Sequence, residues 1–231
     1  MLEVGPGPGG LTRALLQTPA RRIIAVERDP RCIEALGDLA DHAGERLQVI
    51  EADALALDLE VLAGGERLSI VANLPYNIAT ALLLKWLGEL DQVCELILMF
   101  QREVAERLAA TPRTPAYGRL SVLVQWLCEV RGVMHLPAGA FVPPPKVSSS
   151  LVRLVPRPTP LAPAQRPALE KVLAAAFGQR RKMLRASLKS LGGTPEALLD
   201  AAGIAPTARA EEIEVEGFCR LARAWQASRP R

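Results

Sequence analysis

The chain has 231 residues, 49% of them hydrophobic and 23% charged, with a formal net charge of +3. That is the composition of an ordinary globular protein holding one large domain, or one domain with a smaller companion. No apolar run reaches the roughly 18 residues of a membrane span, no leader-like segment opens the chain, and four scattered cysteines with two histidines form no zinc set, so a cytoplasmic, metal-free protein is expected.

The first elements alternate in type. Met1–Val4 reads as a strand fragment, and Gly5-Pro6-Gly7-Pro8-Gly9-Gly10 leads into a helix over Leu11–Gln17. Short apolar runs ending in polar residues follow at 22–27, 47–51, 68–72 and 96–100, with helical patterns at 30–40 and 79–87 between them. This βαβα rhythm predicts a mostly parallel sheet covered by helices on both faces. A helix over 120–128 and a last strand over 150–155 come next. The proline-rich stretch from Pro156 to Pro163 then serves as the domain boundary. The expected domains are 1–157 and an all-helical 158–231, with helices at 165–177, 181–191, 195–202 and 215–227.

Polar residues stand where strands end, which is where open α/β sheets place ligands. Glycines 5, 7 and 10 satisfy the G-x-G-x-x-G spacing of a dinucleotide fold, so a nicotinamide dehydrogenase is one reading. The other is a fold for S-adenosylmethionine (SAM). Glu3, just ahead of the loop, suits a cationic methionine end better than a pyrophosphate. Glu27 can accept both hydroxyls of a ribose, and Asp53 can accept from an adenine amine. Each acid can equally be a helix cap or a surface charge.

Asn73-Leu74-Pro75-Tyr76 follows the run Leu68–Ala72. The Asn73 side-chain oxygen and the Leu74 carbonyl can accept both N–H bonds of an exocyclic adenine amine. Pro75 stiffens the turn and Tyr76 offers a flat stacking face, although Asn and Pro are also common turn residues.

Together, Glu3-x-Gly5-x-Gly7-x-Gly9, Glu27, Asp53 and Asn73-Leu74-Pro75-Tyr76 resemble the ribosomal RNA small-subunit adenine N6,N6-dimethyltransferases of the KsgA type. The likeness continues through the segments 100–107, 117–122, 141–149 and 176–185, and so spans nearly the whole chain. It implies a class I, Rossmann-like SAM-methyltransferase domain followed by a small helical domain that binds RNA and the ribosome. It also implies SAM as methyl donor, and as substrate two adjacent adenosines in a hairpin near the 3′ end of small-subunit (16S) rRNA, within immature small subunits. By that likeness Gly5, Gly7 and Gly9 line the methionine moiety with Glu3 nearby, Glu27 holds the ribose, and Asp53 holds the adenine of SAM. Asn73 and the Leu74 carbonyl grip the target N6, Tyr76 stacks on the base, and Phe141 closes its other face. Members also carry a segment ahead of the first strand. This chain starts inside that strand, so the resemblance is to a member lacking that segment. Two further readings stay open: another adenine-N6 methyltransferase acting on large-subunit rRNA or DNA, and an assembly factor that binds immature rRNA without much catalysis.

Residues 151–231 hold 14 Lys/Arg against 7 Asp/Glu, a balance of +7, which leaves −4 for residues 1–150. A basic tail on a slightly acidic body suggests a polyanion partner. Arg180, Arg181, Lys182, Arg185 and Lys189 cluster there, and positions 181, 185 and 189 predict one basic stripe along a helix, with Lys146 as a loop candidate. The three tryptophans sit in apolar helical patterns and are expected in the core. A monomer is expected.

Overall fold

The computed structural model describes residues 1–142 and 144–229. Pro143, quoted within the 141–149 segment, lies outside the described residues. Two compact units are present: residues 1–105 with 131–156, and residues 106–130 with 157–231.

The first unit is built on parallel strands β1 (Leu2–Val4), β2 (Ile23–Glu27), β3 (Leu47–Glu51), β4 (Leu68–Ala72) and β5 (Val93–Gln101). With β6 (Cys128–Leu136) and β7 (Ser149–Pro156), the sheet has the order β3-β2-β1-β4-β5-β7-β6. Strands β1, β2 and β4 are nearly all apolar and mostly buried, as strands covered on both faces must be. Their order reverses beside β1, where β2 pairs on one side and β4 on the other. Ligand clefts open at such a switch point. Strand β7 runs antiparallel to β5, pairing Ser149 with Gln101 and Leu154 with Leu96. The first residue of β7 therefore stands at the same sheet edge as the C-terminal ends of the parallel strands.

Helices α1 (Gly10–Leu16), α2 (Pro30–Ala43), α3 (Leu59–Ala63) and α4 (Tyr76–Trp86) connect these strands. Helix α2 starts on Asp29, whose side chain accepts from the Arg31 N–H, with Pro30 at the first helical position. That is a regular N-terminus. Helix α4 buries Ala79, Leu82, Leu83 and Trp86. Fully burying one such large apolar side chain is worth about 1.5–3 kcal/mol, so this face pins the residues at the helix start.

In the second unit the residues are carried by helices α5 (Arg102–Ala109, entering from the first unit), α6 (Arg119–Leu127), α7 (Arg166–Gly178), α8 (Leu184–Ser187), α9 (Pro195–Ala201) and α10 (Val215–Ala227). Helices α6, α7 and α10 pack on one another. Phe177 meets Tyr117 edge-on at 6.2 Å and Phe218 at 5.4 Å between ring centroids. Tyr117 is fully buried and its hydroxyl donates to the Ile213 carbonyl at 2.9 Å. Trp86, Trp126 and Trp225 are all buried, as their patterns predict.

Two expectations are corrected, and one strand had no expectation at all. A division into 1–157 and 158–231 takes the units as continuous in sequence, but residues 106–130 belong to the second unit. The Gln125 side-chain amide donates to the carbonyls of Leu108 and Ala110, Trp126 Nε1 donates to the Ala162 carbonyl, and the Arg157 N–H donates to Leu127. The bonds of Trp126 and Arg157 join stretches on either side of the inserted 131–156 segment. The single helix over 181–191 is also wrong. Helix α7 stops at Gly178, residues 179–182 form a turn, Met183 makes an isolated bridge to Arg209, and the four-residue α8 passes into a 3₁₀ turn over Leu188–Leu191. The N–H groups of Leu184 and Arg185 bond to the carbonyls of Ala208 and Pro206, and that pairing breaks the helix. Arg181, Arg185 and Lys189 consequently form no helical stripe. Finally, β6 carries no sequence signal, because most of its residues are exposed and no apolar alternation marks it.

Candidate active site

A cleft of about 440 Å³ opens at the C-terminal ends of β1, β2, β3 and β4. One wall is the loop after β1, with Gly5 and Gly7, and another is Glu27 with Arg28. The remaining walls are the loop from Ala52 to Leu55, and Asn73-Leu74-Pro75 with Ile78. Four separate chain segments thus bring Gly5, Gly7, Glu27, Asp53, Asn73, Leu74 and Pro75 to one cavity.

The loop conformation explains its glycines. Gly5 and Gly7 have φ of 69° and 54°, a region favoured by glycine. A Cβ built on either meets no protein atom within 4 Å, so the space before them is open to a ligand. Gly9 sits elsewhere. With φ of 87° it precedes α1, and a Cβ there would come within 2.9 Å of a Leu36 methyl. Its glycine is needed for close packing on α2, and it does not line the cleft.

The acids differ in environment. Glu27 is largely buried, with Oε1 accepting from the N–H of Arg28 (2.7 Å) and Asp29 (3.0 Å) and Oε2 from that of Gly7 (3.1 Å). An ionised carboxylate has about four acceptor positions, so one remains for a hydroxyl. Asp53 is exposed. Its Oδ1 accepts from the Leu55 N–H at 2.9 Å, and Arg28 approaches its other oxygen at 3.9 Å. Glu3 is 1% exposed, and both its oxygens lack hydrogen-bond partners. Burial pushes its carboxyl above the ordinary range. The buried Thr12 hydroxyl works against that rise, but the two side chains do not meet in hydrogen-bond geometry. A buried orphan carboxylate behind a glycine loop is what a positively charged ligand group would relieve.

At the end of β4, Asn73 is exposed and Leu74 buried. The Pro75 carbonyl already accepts from the N–H groups of Ile78 and Ala79 as α4 begins, which leaves the Leu74 carbonyl ahead of the helix. Tyr76 opens α4 between the lining residues Pro75 and Ile78, half-buried, and its hydroxyl shares a 2.6 Å hydrogen bond with Ser149 Oγ. Phe141 is half-buried after a 3₁₀ turn over Ala138–Ala140, and neither ring lines the cleft. Lys146 is exposed. In the second unit Arg181, Lys182, Arg185 and Lys189 are exposed. Arg180 instead donates to Glu211 at 2.9 Å and to the Thr114 carbonyl at 3.3 Å.

The family model for ribosomal RNA adenine dimethylase matches residues 1–227. The chain belongs to that family. A ribosomal RNA small subunit methyltransferase A from Paramagnetospirillum magneticum is 59% identical to it, over 98% of this chain and 80% of that protein. Its counterpart from Rhodospirillum rubrum is 58% identical, over 99% and 78%. Among solved structures, a dimethyladenosine transferase from Plasmodium falciparum superposes with a TM-score of 0.80 at 26% identity, covering 95% of this chain and 87% of that one. The 23S rRNA methyltransferase ErmE superposes at 0.71 with 29% identity, covering 97% and 90%.

As a member of the adenine dimethylase family, the chain is a SAM-dependent methyltransferase, and its cleft fits that donor. The open glycine loop, the spare acceptor on Glu27 and the Asp53 carboxylate share that cleft, while Glu3 is fully buried and lies outside its lining. The reading from the chain alone missed Arg28, Leu55 and Ile78 on the cleft wall. Leu55, an exposed leucine two residues after Asp53, was the visible signal, since an apolar side chain beside an acid can cover a flat ring. Among the described residues no cluster of metal-ligating side chains occurs, and no helix is long and apolar enough to cross a membrane.

Proposed function

We propose that this chain dimethylates the N6 atoms of two adjacent adenosines in a hairpin near the 3′ end of small-subunit rRNA. One observation carries the reading most: Asn73-Leu74-Pro75 forms a wall of the same cleft as Glu27, Asp53 and the Gly5–Gly7 loop, in a chain so similar to small-subunit methyltransferases A.

Bound SAM supplies an electrophilic methyl group. The residues do the rest. Glu27 and Asp53 fix the donor's ribose and adenine, and Glu3 balances its ammonium from behind the loop. The adenine amine is a poor nucleophile because its lone pair conjugates with the ring. Asn73 Oδ1 and the Leu74 carbonyl accept its two N–H bonds, which favours pyramidal nitrogen and stabilises the positive charge that develops there. No strong base is needed before attack, since the proton can leave afterwards. A base inside a stem is unreachable, so the target is unpaired or extruded. Stacking on Tyr76, with Phe141 on the other face, returns roughly 1–3 kcal/mol of that cost. Arg181, Lys182, Arg185 and Lys189, with Lys146, meet phosphates, while the ion pair with Glu211 gives Arg180 a structural part. The protein works in the cytoplasm as a monomer.

The test is mass mapping of RNA from unmethylated small subunits treated with the protein and SAM. Two neighbouring dimethyladenosines in the 3′-terminal hairpin are expected. Methylation confined to large-subunit RNA, or none, would overturn the proposal.

A further inference from the structure

Ser149 is a fully buried polar residue at the sheet edge that carries the site. It pairs with Gln101 at the end of β5, and its neighbour Ser148 accepts from the Arg102 N–H at 2.9 Å. This short stretch is therefore tied to the end of β5 at two successive residues. The Ser149 hydroxyl reaches 73 residues back to the Tyr76 hydroxyl, 2.6 Å away. A buried hydroxyl is retained where it has a partner, and here the partner is the tip of the ring next to Asn73-Leu74-Pro75.

The consequence is mechanical. Tyr76 occupies the first position of α4 and is only half-buried, so packing alone leaves its two side-chain torsions underdetermined. A short bond at the far end of the ring fixes the direction of the ring axis, because the ring's tip and its Cα are then each attached to a rigid element, and it biases the ring plane as well, because a phenol oxygen donates and accepts best near that plane. We infer that Ser149 is a positioning residue for methyl transfer, holding the plane of Tyr76 at the angle an extruded adenine stacks on. This rests on the stacking role of Tyr76 proposed above. The demand is greater in the second transfer than in the first. Once N6 carries a methyl group, a single N–H remains to orient the amine between Asn73 and Leu74, and the stacked ring plane supplies more of the alignment. A loosened ring should therefore slow the second methylation more than the first.

The experiment compares Ser149→Ala, Tyr76→Phe, their combination and Tyr76→Ala, using unmethylated small subunits. Turnover, SAM affinity and the ratio of monomethyl to dimethyl product are read at matched folded fraction. Ser149→Ala and Tyr76→Phe remove the same bond from its two ends, so each should lower turnover by about three- to tenfold. Each should also raise the monomethyl share and leave SAM affinity within about twofold, because neither side chain lines the donor cleft; the combination should behave like either one alone. Wild-type turnover and product ratio in Ser149→Ala and Tyr76→Phe, with Tyr76→Ala crippled, would overturn the inference and leave stacking intact. A double variant as impaired as the product of both singles would overturn it too. Wild-type turnover in Tyr76→Ala would instead remove stacking itself, and the inference with it.

Discussion

The cleft edge of the sheet and the basic turn after α7 use polar residues in opposite ways. At the sheet edge each polar group has its own geometry: Glu27 is held by three N–H groups, Glu3 is buried without a partner, and Asn73 is exposed just past the end of β4. In the turn from Gln179 through the 3₁₀ segment, the cations other than the ion-paired Arg180 are exposed and mutually similar. The first region reads identity and position, so a single substitution there should be costly. The second supplies positive potential, which several side chains share, so effects there should be small and cumulative.

The largest effect should come from Asn73→Ala. Losing a pre-positioned acceptor of developing charge should cost about 10²-fold or more in turnover, while filter binding shows RNA affinity nearly unchanged. Unaltered turnover would break the contrast at its strongest point. Next is Glu3→Gln, expected to weaken SAM binding about tenfold in calorimetric titration, through the lost attraction to the donor's ammonium. It should also stabilise the ligand-free protein. The Glu3 carboxyl lies above its ordinary value of 4.5 because burial disfavours its charge, so the folded state holds that proton more tightly than the unfolded chain does. Its contribution to stability is present below the ordinary value and is lost as pH rises through the raised one. Thermal melts of the wild type should lose that increment across this window, and those of Glu3→Gln should not.

Smaller effects are expected in the helical unit. Neutralising Arg181, Lys182, Arg185 and Lys189 together should flatten the dependence of log RNA affinity on log salt by about 0.7–0.9 for each phosphate that no longer meets a cation. An unchanged slope would show that these cations are merely solvated. Smallest of all is Arg185→Lys, which keeps the charge and should shift affinity by less than about twofold. A large loss in that variant would mean a bidentate contact and would erase the distinction between the regions.

Much of the first region was legible from the chain, because buried strands write continuous apolar runs and the acids fall where those runs stop. Leu47–Glu51 and Leu68–Ala72 match the observed strands residue for residue. What escaped was either tertiary or weakly patterned. Gly9 reads as a loop glycine, yet its requirement comes from Leu36 on another helix. Strand β6 is exposed along most of its length and leaves no alternation. The basic stripe failed because a spacing of four is meaningful only on a continuous helix, and hydrogen bonds from Leu184 and Arg185 to the 206–208 segment interrupt it. Ser149 gave no signal, since a serine at a strand start is ordinary until its partner 73 residues away is known.

The Tyr117, Phe177 and Phe218 cluster has a practical consequence for mutational screens. Two of the segments that tie this chain to its family, around 117–122 and 176–185, place their aromatic rings in that cluster, where they glue helices together. Scoring cells only for unmethylated ribosomes would therefore flag Tyr117 and Phe177 alongside Asn73. Measuring protein abundance in the same cells separates them: the aromatic variants should vanish from the lysate, whereas Asn73→Ala should accumulate as intact, idle enzyme.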